Sequence, residues 1–244
     1  FMVGLKDSRM TKYFAPATNP SLYTDHPDYP YKGIASGAFL RAKDEHEQFS
    51  KVSEDWKSVT SRRFLTAAEV HFALAEAALR GWAGAGDAKT HYEEGIKMSF
   101  QNWGAPGVDA YIADATSTPI DYSDPVDHRN DYQTRSTITV AWNDADSDEL
   151  KLEKIITQKW LDALTNANEV WCDHRRTGYP KLHYVPKNDS NEDWGIIPAD
   201  GFLQRMPFIT NERNSNPQGV ADATTKLGGP DLISTPLYFA VPGS

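Results

Sequence analysis

Residues 150–182 read LKLEKIITQKWLDALTNANEVWCDHRRTGYPKL, and this stretch decides the fold. It predicts two helices in close succession. In the first, apolar residues recur at helical spacing and form one broad stripe, at Leu152, Ile155, Ile156, Trp160, Ala163 and Leu164. Asn166, with Glu169 three residues later, is typical of the start of a second helix. Gly178 and Pro180 then end that helix.

Two side chains of the second helix are predicted to stack. Trp171 and Arg175 are four residues apart and therefore share a helix face, which allows a cation–π contact of about 0.5–2 kcal/mol. Arg175 and Arg176 also suit the negative end of the helix dipole. Nothing in this segment is a catalytic motif. We therefore interpret it as scaffold, in which Trp160 and Trp171, like Trp82 upstream, are packing residues.

A second pair of helices is predicted upstream. Thr66 and Glu69 form a capping box, so a helix begins at Thr66 and runs through an alanine-rich segment. Asp87 caps the next helix, whose inner side carries Ala88, Tyr92, Gly95, Ile96, Ser99 and Trp103. A helix, a Gly-rich turn and a helix, with small residues where the two approach, are typical of a tetratricopeptide unit. The sequence predicts one good unit here and a degenerate one at 147–178.

These segments resemble the C-terminal half of the SusD/RagB family, surface nutrient-binding lipoproteins of Bacteroidetes-type bacteria. The long matches are FLTAAEVHFALAEAALRGW (64–82), DAKTHYEEGIKMSFQNWG (87–104), EKIITQKWLDAL (153–164) and EVWCDHRRTGYPKL (169–182). Shorter matches are Asp7-Ser8-Arg9, Tyr31-Lys32-Gly33-Ile34, Pro198, Arg205-Met206-Pro207, Glu212, Asn216, Gly228-Gly229 and Asp231. Where the family tends to carry tryptophans near its end, this chain has Tyr238 and Phe239.

The resemblance implies a mainly α-helical fold, in which tetratricopeptide-like helical pairs are joined by long ordered loops. We expect residues 1–244 to form the C-terminal part of one SusD-like domain, with the helical region at 62–182 and a loop-rich wrap at 183–244. An N-terminal half would supply further helices, part of the ligand site and the lipid anchor. The residues independently point to such a neighbour, because the helix 66–80 is apolar on more than one face.

The function implied by the resemblance is non-catalytic capture of a glycan or other nutrient at the surface of the cell outer membrane. The ligand would pass to a TonB-dependent, SusC-like transporter, and no cofactor is implied. A tetratricopeptide-type adaptor that grips a peptide in a groove is the alternative, which regular repeats would favour. The single good repeat and the long aromatic loops favour the nutrient binder. A glycoside hydrolase would need two carboxylates about 5–9.5 Å apart across a cleft.

Composition narrows the classes further. A chain of 244 residues with 39% hydrophobic content can bury a sizeable core. A net charge of −9 and a pI near 5.2 disfavour nucleic-acid binding. No apolar run reaches the ~18 residues of a membrane-spanning helix. The one cysteine, Cys172, cannot form an internal disulfide, and we interpret it as a small buried residue.

Signals for metal binding and catalysis are weak. Asp144, Asp146 and Asp148 alternate like the start of a calcium loop, but the glycine and glutamate that an EF-hand needs are replaced by Glu149 and Ile155. Asp146 as a helix N-cap explains the acids better, although calcium stays open. The seven histidines are scattered without zinc spacing, even though His71 and His91 could face one another across the paired helices. We predict no catalytic residue, no metal ligand and no enzymatic activity.

Ligand-binding residues are expected among the aromatic residues of the loops, because flat rings stack on the C–H faces of sugars. Tyr23, Tyr29 and Tyr31 lie among prolines and aspartates in residues 19–33, and Trp56 lies in a polar segment before the first long helix. The long connection 104–148 adds Tyr111, Tyr122, Tyr132 and Trp142. Any of these rings could instead pack over the core. Because the platform of the resembling family draws on both halves, Tyr23, Tyr29, Tyr31 and Trp56 are the candidate site residues.

Overall fold

A computed structural model describes residues 1–42, 44–58, 64–164 and 166–241, and it is mainly helical, as predicted. In chain order its elements are α1 (Met10–Tyr13), β1 (Phe14–Ala15), β2 (Lys51–Val52), α2 (Glu54–Lys57), α3 (Ala67–Leu79), α4 (Ala88–Trp103), α5 (Val108–Ile112), α6 (Asp148–Asp162), α7 (Ala167–Thr177), α8 (Thr210–Ser215) and α9 (Pro217–Leu227). The two strands pair antiparallel. Short 3₁₀ turns lie at Pro20–Tyr23 and His128–Asn130.

The upstream helical pair begins where the capping residues predict. The side chain of Thr66 accepts a hydrogen bond from the Glu69 amide at 3.0 Å, and Asp87 accepts one from the Thr90 amide at 2.8 Å. Between the two helices the approach is close at Gly95. A Cβ added to Gly95 would lie 2.6 Å from the ring of Phe72, which is fully buried. The small residues at this interface are therefore required by its geometry, as the tetratricopeptide pattern predicted.

Helix α6 packs chiefly on α3 and completes the main core. Its residues Ile155 and Ile156 are buried together with Phe72 of α3 and Tyr92 and Ile96 of α4. This helix does not begin as predicted, because Ser147, not Asp146, is the N-cap and accepts from the Leu150 amide at 3.2 Å.

Two acidic residues ahead of α6 each have their own partner in the fold. Asp146 forms an ion pair with the buried Lys154 at 2.7 Å, and Asp144 accepts a hydrogen bond from Trp142 Nε1 at 2.9 Å. The prediction of Asp146 as a cap was wrong by one residue, because the carboxylate of Asp146 is taken by the ammonium of Lys154.

Helix α7 contains the predicted stack. The Arg175 guanidinium carbon lies 3.8 Å from the centre of the Trp171 ring, and Trp171 Nε1 donates to the Leu203 carbonyl at 2.9 Å. Gly178 ends the helix in the left-handed conformation at φ 76°. Asn166 precedes the helix as predicted, but its side chain makes no capping hydrogen bond.

Two sequence interpretations of single residues were wrong. Cys172 is exposed, because the buried side of α7 is formed by Asp173, His174 and Arg175. Trp82 is 67% exposed, because α3 ends at Leu79 and leaves this tryptophan in the following turn instead of on a helical face.

An ion-pair network joins α3, α6 and α7. Arg176 donates through both terminal nitrogens to the carboxylate of Glu76, one bond measuring 2.8 Å, and also to Asp173 at 2.8 Å. Asp173 in turn pairs with Lys159 of α6 at 2.7 Å. Arg176 therefore has a specific partner on another helix, in addition to its position at the negative end of the dipole.

This network makes the free energy of unfolding depend on pH. Burial alone would raise the pKa of Glu76, but the hydrogen bonds and charges of Arg176 and Arg80 hold it below its ordinary 4.5. A group with a depressed folded-state pKa stabilises fully above its unfolded pKa, and that contribution is lost as the pH falls through the folded-state value. We expect Glu76→Gln to lower the free energy of unfolding by about 1–3 kcal/mol at pH 7. Urea melts of both proteins should converge below pH 4.5; a difference constant with pH would contradict this assignment.

A buried arginine anchors the first residues of the chain to the helices. Arg9 and Asp7 are both fully buried and pair at 2.6 Å. Arg9 also donates to Ser99 of α4 at 2.7 Å and to Gln158 of α6 at 2.8 Å. Its guanidinium lies over the Phe100 ring, 4.9 Å from the centre. Ser99 and Gln158 come from parts of the chain distant from Arg9, so the cluster fixes the N-terminal segment in one place.

Residues 183–241 are largely irregular, as expected of a loop-rich wrap, but they contain two helices that the sequence interpretation missed. The signals were present for α9: the side chain of Asn216 caps it by accepting from the Gly219 amide at 3.1 Å. Pro217 occupies its first turn and Gly228 ends it at φ 76°. Asp231 joins this region together by pairing with Arg205 and, at 2.7 Å, with Arg213.

The helical pair also has apolar side chains that nothing in the described chain covers. Phe64 is 89% exposed, and Leu65 and Val70 are exposed beside it in sequence. These residues precede or belong to α3, the helix that was predicted to need more than one neighbour. None of the described helices has the length and apolarity that crossing a bilayer requires.

Candidate ligand-binding cavity

A cavity of 470 Å³ lies between the N-terminal segment, the β1–β2 pair and the long connection before α6. Its aromatic lining residues are Phe1, Phe14, Tyr31, Tyr122, Tyr132 and His183, and its polar ones include His26, Lys32, Ser50, Lys51 and Asp121. A largely apolar wall with a few polar groups is the usual composition of a small-molecule site.

Three of the rings form a stacked column. The rings of Tyr122 and Tyr132 are 5.1 Å apart with planes 14° apart, and those of Tyr132 and His183 are 3.9 Å apart at 6°. Tyr122 and Tyr132 also exchange backbone hydrogen bonds of 2.9 and 3.0 Å as an isolated antiparallel bridge. Residues distant in sequence thus form one aromatic stack in the wall of the cavity, with their ring faces turned to one another.

Hydrogen bonds to the helical core hold the loops that carry this column. Ser136 donates to the buried Glu153 of α6 at 2.6 Å, and Lys154 of α6 donates to the Ala141 carbonyl at 2.7 Å. Arg135 donates to the Leu182 carbonyl at 2.8 Å, next to His183. The long connection is therefore fixed by α6 on one side and joined to the segment after α7 on the other.

The polar groups of the cavity differ in how well they are satisfied. Asp121 accepts from the Thr134 amide at 2.8 Å, and a ring nitrogen of His26 lies 3.0 Å from the Tyr31 carbonyl oxygen. By contrast, Nε2 of His183 is buried without a hydrogen-bond partner among the described residues. Lys32 is buried, and its ammonium lies 4.8 Å from the centre of the Tyr122 ring.

Burial sets the protonation of the column. It raises the pKa of both the Tyr122 and Tyr132 hydroxyls above the ordinary value, so both remain protonated at neutral pH. Burial also lowers the pKa of His183, which keeps this imidazole neutral at pH 7. The three stacked rings are therefore uncharged at neutral pH.

Of the four candidate residues, the structure brings Tyr31 to the cavity. Tyr23 packs against a small separate core of Ala17, Leu22 and Phe49. Tyr29 and Trp56 are half-buried, and neither is among the described residues that line the cavity. Tyr122 and Tyr132 were recognised from the sequence as loop aromatics but were not selected as candidates. Lys32 and His183 were not predicted to be site residues, since nothing in their local sequence distinguishes them.

The fold and cavity together define a class of protein: a tetratricopeptide-like helical scaffold whose long ordered loops build an aromatic cavity. The model of the SusD-like family, described as SusD and RagB outer membrane lipoprotein, matches residues 1–240. No match was found among curated protein sequences.

Solved structures of the same family superpose on almost the whole chain. A chitin-binding SusD homologue from Flavobacterium johnsoniae is 38% identical, with a TM-score of 0.87 over 99% of this chain and 48% of its own. A SusD-like protein from Bacteroides thetaiotaomicron is 35% identical, with a TM-score of 0.85 over 98% of this chain and 49% of its own. A SusD homologue from Bacteroides uniformis is 37% identical, with a TM-score of 0.83 over 99% of this chain and 48% of its own.

The chain belongs to the SusD-like family of outer membrane lipoproteins. It spans about half the length of the solved structures that it matches. The family predicted from residues 64–104 and 150–182 is thereby confirmed.

Proposed function

We propose that this chain is part of a protein that captures a glycan at the outer surface of the outer membrane and delivers it to a TonB-dependent, SusC-like transporter. Membership of the SusD-like family supports the location and the general role. A relative that is 38% identical and chitin-binding supports a glycan as the class of ligand.

The observation that carries the proposal is the aromatic cavity. Its volume of 470 Å³ falls within the roughly 300–1,000 Å³ of small-molecule sites. The stacked rings of Tyr122, Tyr132 and His183, together with Phe1, Phe14 and Tyr31, give this cavity an aromatic wall for a sugar to pack against.

The proposed mechanism is binding without bond cleavage. Asp121 is the one carboxylate among the described lining residues, whereas glycoside hydrolysis ordinarily uses a pair. Incubation of the full-length protein with a bound oligosaccharide should therefore release no new reducing ends. If new reducing ends appeared, and Asp121→Asn abolished them, the protein would be a hydrolase and not a non-catalytic binder.

We further propose that these residues pack against an N-terminal half, which also carries the lipid anchor and part of the site. The exposed Phe64, Leu65 and Val70 at α3 support this arrangement, because apolar residues of a helical pair become stable by stacking on a neighbour.

Tyr31→Ala tests the location of the site. We expect it to weaken glycan binding by the full-length protein roughly tenfold, because a stacking surface is lost. Its melting temperature should change little, since the ring is half-buried and outside the main core. Tyr238→Ala, which removes a fully exposed tyrosine elsewhere, is the matched control. A glycan-array hit with unchanged affinity in Tyr31→Ala would place the site away from this cavity.

A further inference from the structure

Lys32 has a largely buried side chain, and no described carboxylate pairs with its ammonium. The residue is 7% exposed and lines the cavity, and no described carboxylate lies within ion-pair distance of its ammonium. Among the described residues its ammonium has one cation–π contact, with the Tyr122 ring, whose centre lies 4.8 Å away. The other buried lysine, Lys154, behaves differently, because it pairs with Asp146 at 2.7 Å and donates to the Ala141 carbonyl at 2.7 Å.

This arrangement is unfavourable for a purely structural residue. An ammonium on a largely buried side chain is less well compensated without an ion-pair partner, and an aromatic face makes up for it only in part. Lys32 is not sealed off, since it lies at the wall of an open cavity where a ligand can reach it. The lysine is therefore placed to receive an anionic group from the ligand.

The charges around the cavity favour the same ligand. Lys32 and Lys51 both line it, whereas Asp121 is the one described carboxylate and already accepts a hydrogen bond from the Thr134 amide. The whole chain carries a net charge of −9, so its general field repels anions. The two lysines give the cavity a local excess of positive charge. This charge acts at short range and favours an anionic ligand inside the cavity.

We propose that the cavity binds an acidic glycan, and that Lys32 pairs with a carboxylate or sulfate group on the sugar. This inference rests on the proposed glycan-binding function and specifies its substrate class. The aromatic wall would take the apolar part of the sugar, while the ammonium of Lys32, next to Tyr122, would take the charged substituent. Charge-assisted hydrogen bonds in a partly desolvated site are stronger than neutral ones, so the substituent would dominate selectivity.

The test uses the full-length protein on an array of neutral, uronate-containing and sulfated oligosaccharides. Chito-oligosaccharides represent the neutral class. Each acidic hit is then compared with its neutral counterpart, the methyl ester for a uronate and the desulfated sugar for a sulfate, which distinguishes the two sources of charge. We expect an acidic hit whose affinity falls roughly 10- to 100-fold in the neutral counterpart.

Lys32→Met should reproduce that loss for the acidic hit, so that the variant no longer prefers the acidic hit to its neutral counterpart. Lys89→Met, which removes the same charge from an exposed position on α4, is the control and should bind like the wild type. The melting temperature of Lys32→Met should not fall, because Lys32 forms no ion pair with the described residues and Met retains an apolar stem of similar size.

Three results would overturn the inference. A neutral glycan that the wild type binds at least as tightly as its acidic counterpart would refute the acidic ligand while leaving glycan capture intact. An acidic glycan bound equally by wild type and Lys32→Met would show that Lys32 is not its partner. Binding of no glycan by the folded wild type would instead refute the proposed function, and the acidic ligand with it.

Discussion

Arg9→Met is expected to lower the free energy of unfolding by about 3–5 kcal/mol, because it leaves the buried carboxylate of Asp7 without its counter-charge. Both side chains are fully buried, and Arg9 also satisfies Ser99 and Gln158. Chemical denaturation of the full-length protein followed by circular dichroism measures the change.

The double variant Asp7→Leu, Arg9→Met is the control. It removes both charges and should be more stable than Arg9→Met alone, since no buried ion is left unpaired. If the double variant were the less stable of the two, the loss would come from packing around Arg9 and not from the orphaned carboxylate of Asp7.

Phe72→Ala is expected to cost about 3–5 kcal/mol, because a fully buried aromatic ring is lost from a closely packed interface. Phe72 lies against Gly95, so α4 cannot supply a side chain to fill the cavity. Gln101→Ala on α4 is the control, and its exposed side chain should contribute about 0.5 kcal/mol or less. Thermal and urea melts that ranked the two variants equally would mean that α3 and α4 do not pack as described.

The scaffold could be predicted from the sequence because its determinants are local. Thr66 and Asp87 start their helices through hydrogen bonds to amides three residues later, and Gly178 ends α7 with its own backbone conformation. The Trp171–Arg175 stack likewise depends on two residues of one helix. Such signals are complete within a few residues, so the sequence alone displays them.

The site could be predicted only in part because its geometry is non-local. Tyr31 was selected from its loop context, but its neighbours Tyr122, Tyr132 and His183 come from segments far apart in the chain. The proposed role of Lys32 depends on the absence of a nearby carboxylate among the described residues, and no sequence pattern reveals such an absence. Ser147 instead of Asp146 caps α6 for a similar reason. The carboxylate of Asp146 binds Lys154, eight residues later in the chain.

The attachment of the cavity loops to α6 has a thermodynamic consequence. Glu153 and Lys154, both buried on that helix, fix Ser136 and Ala141 of the connection that carries Tyr122 and Tyr132. The aromatic surface is thus already ordered before a ligand arrives, and its conformational entropy was lost when the protein folded. Association then requires little further ordering, so more of the contact energy appears as affinity. The proposed capture of a dilute glycan would benefit from such preorganisation, because the aromatic wall would be ready to bind at every encounter.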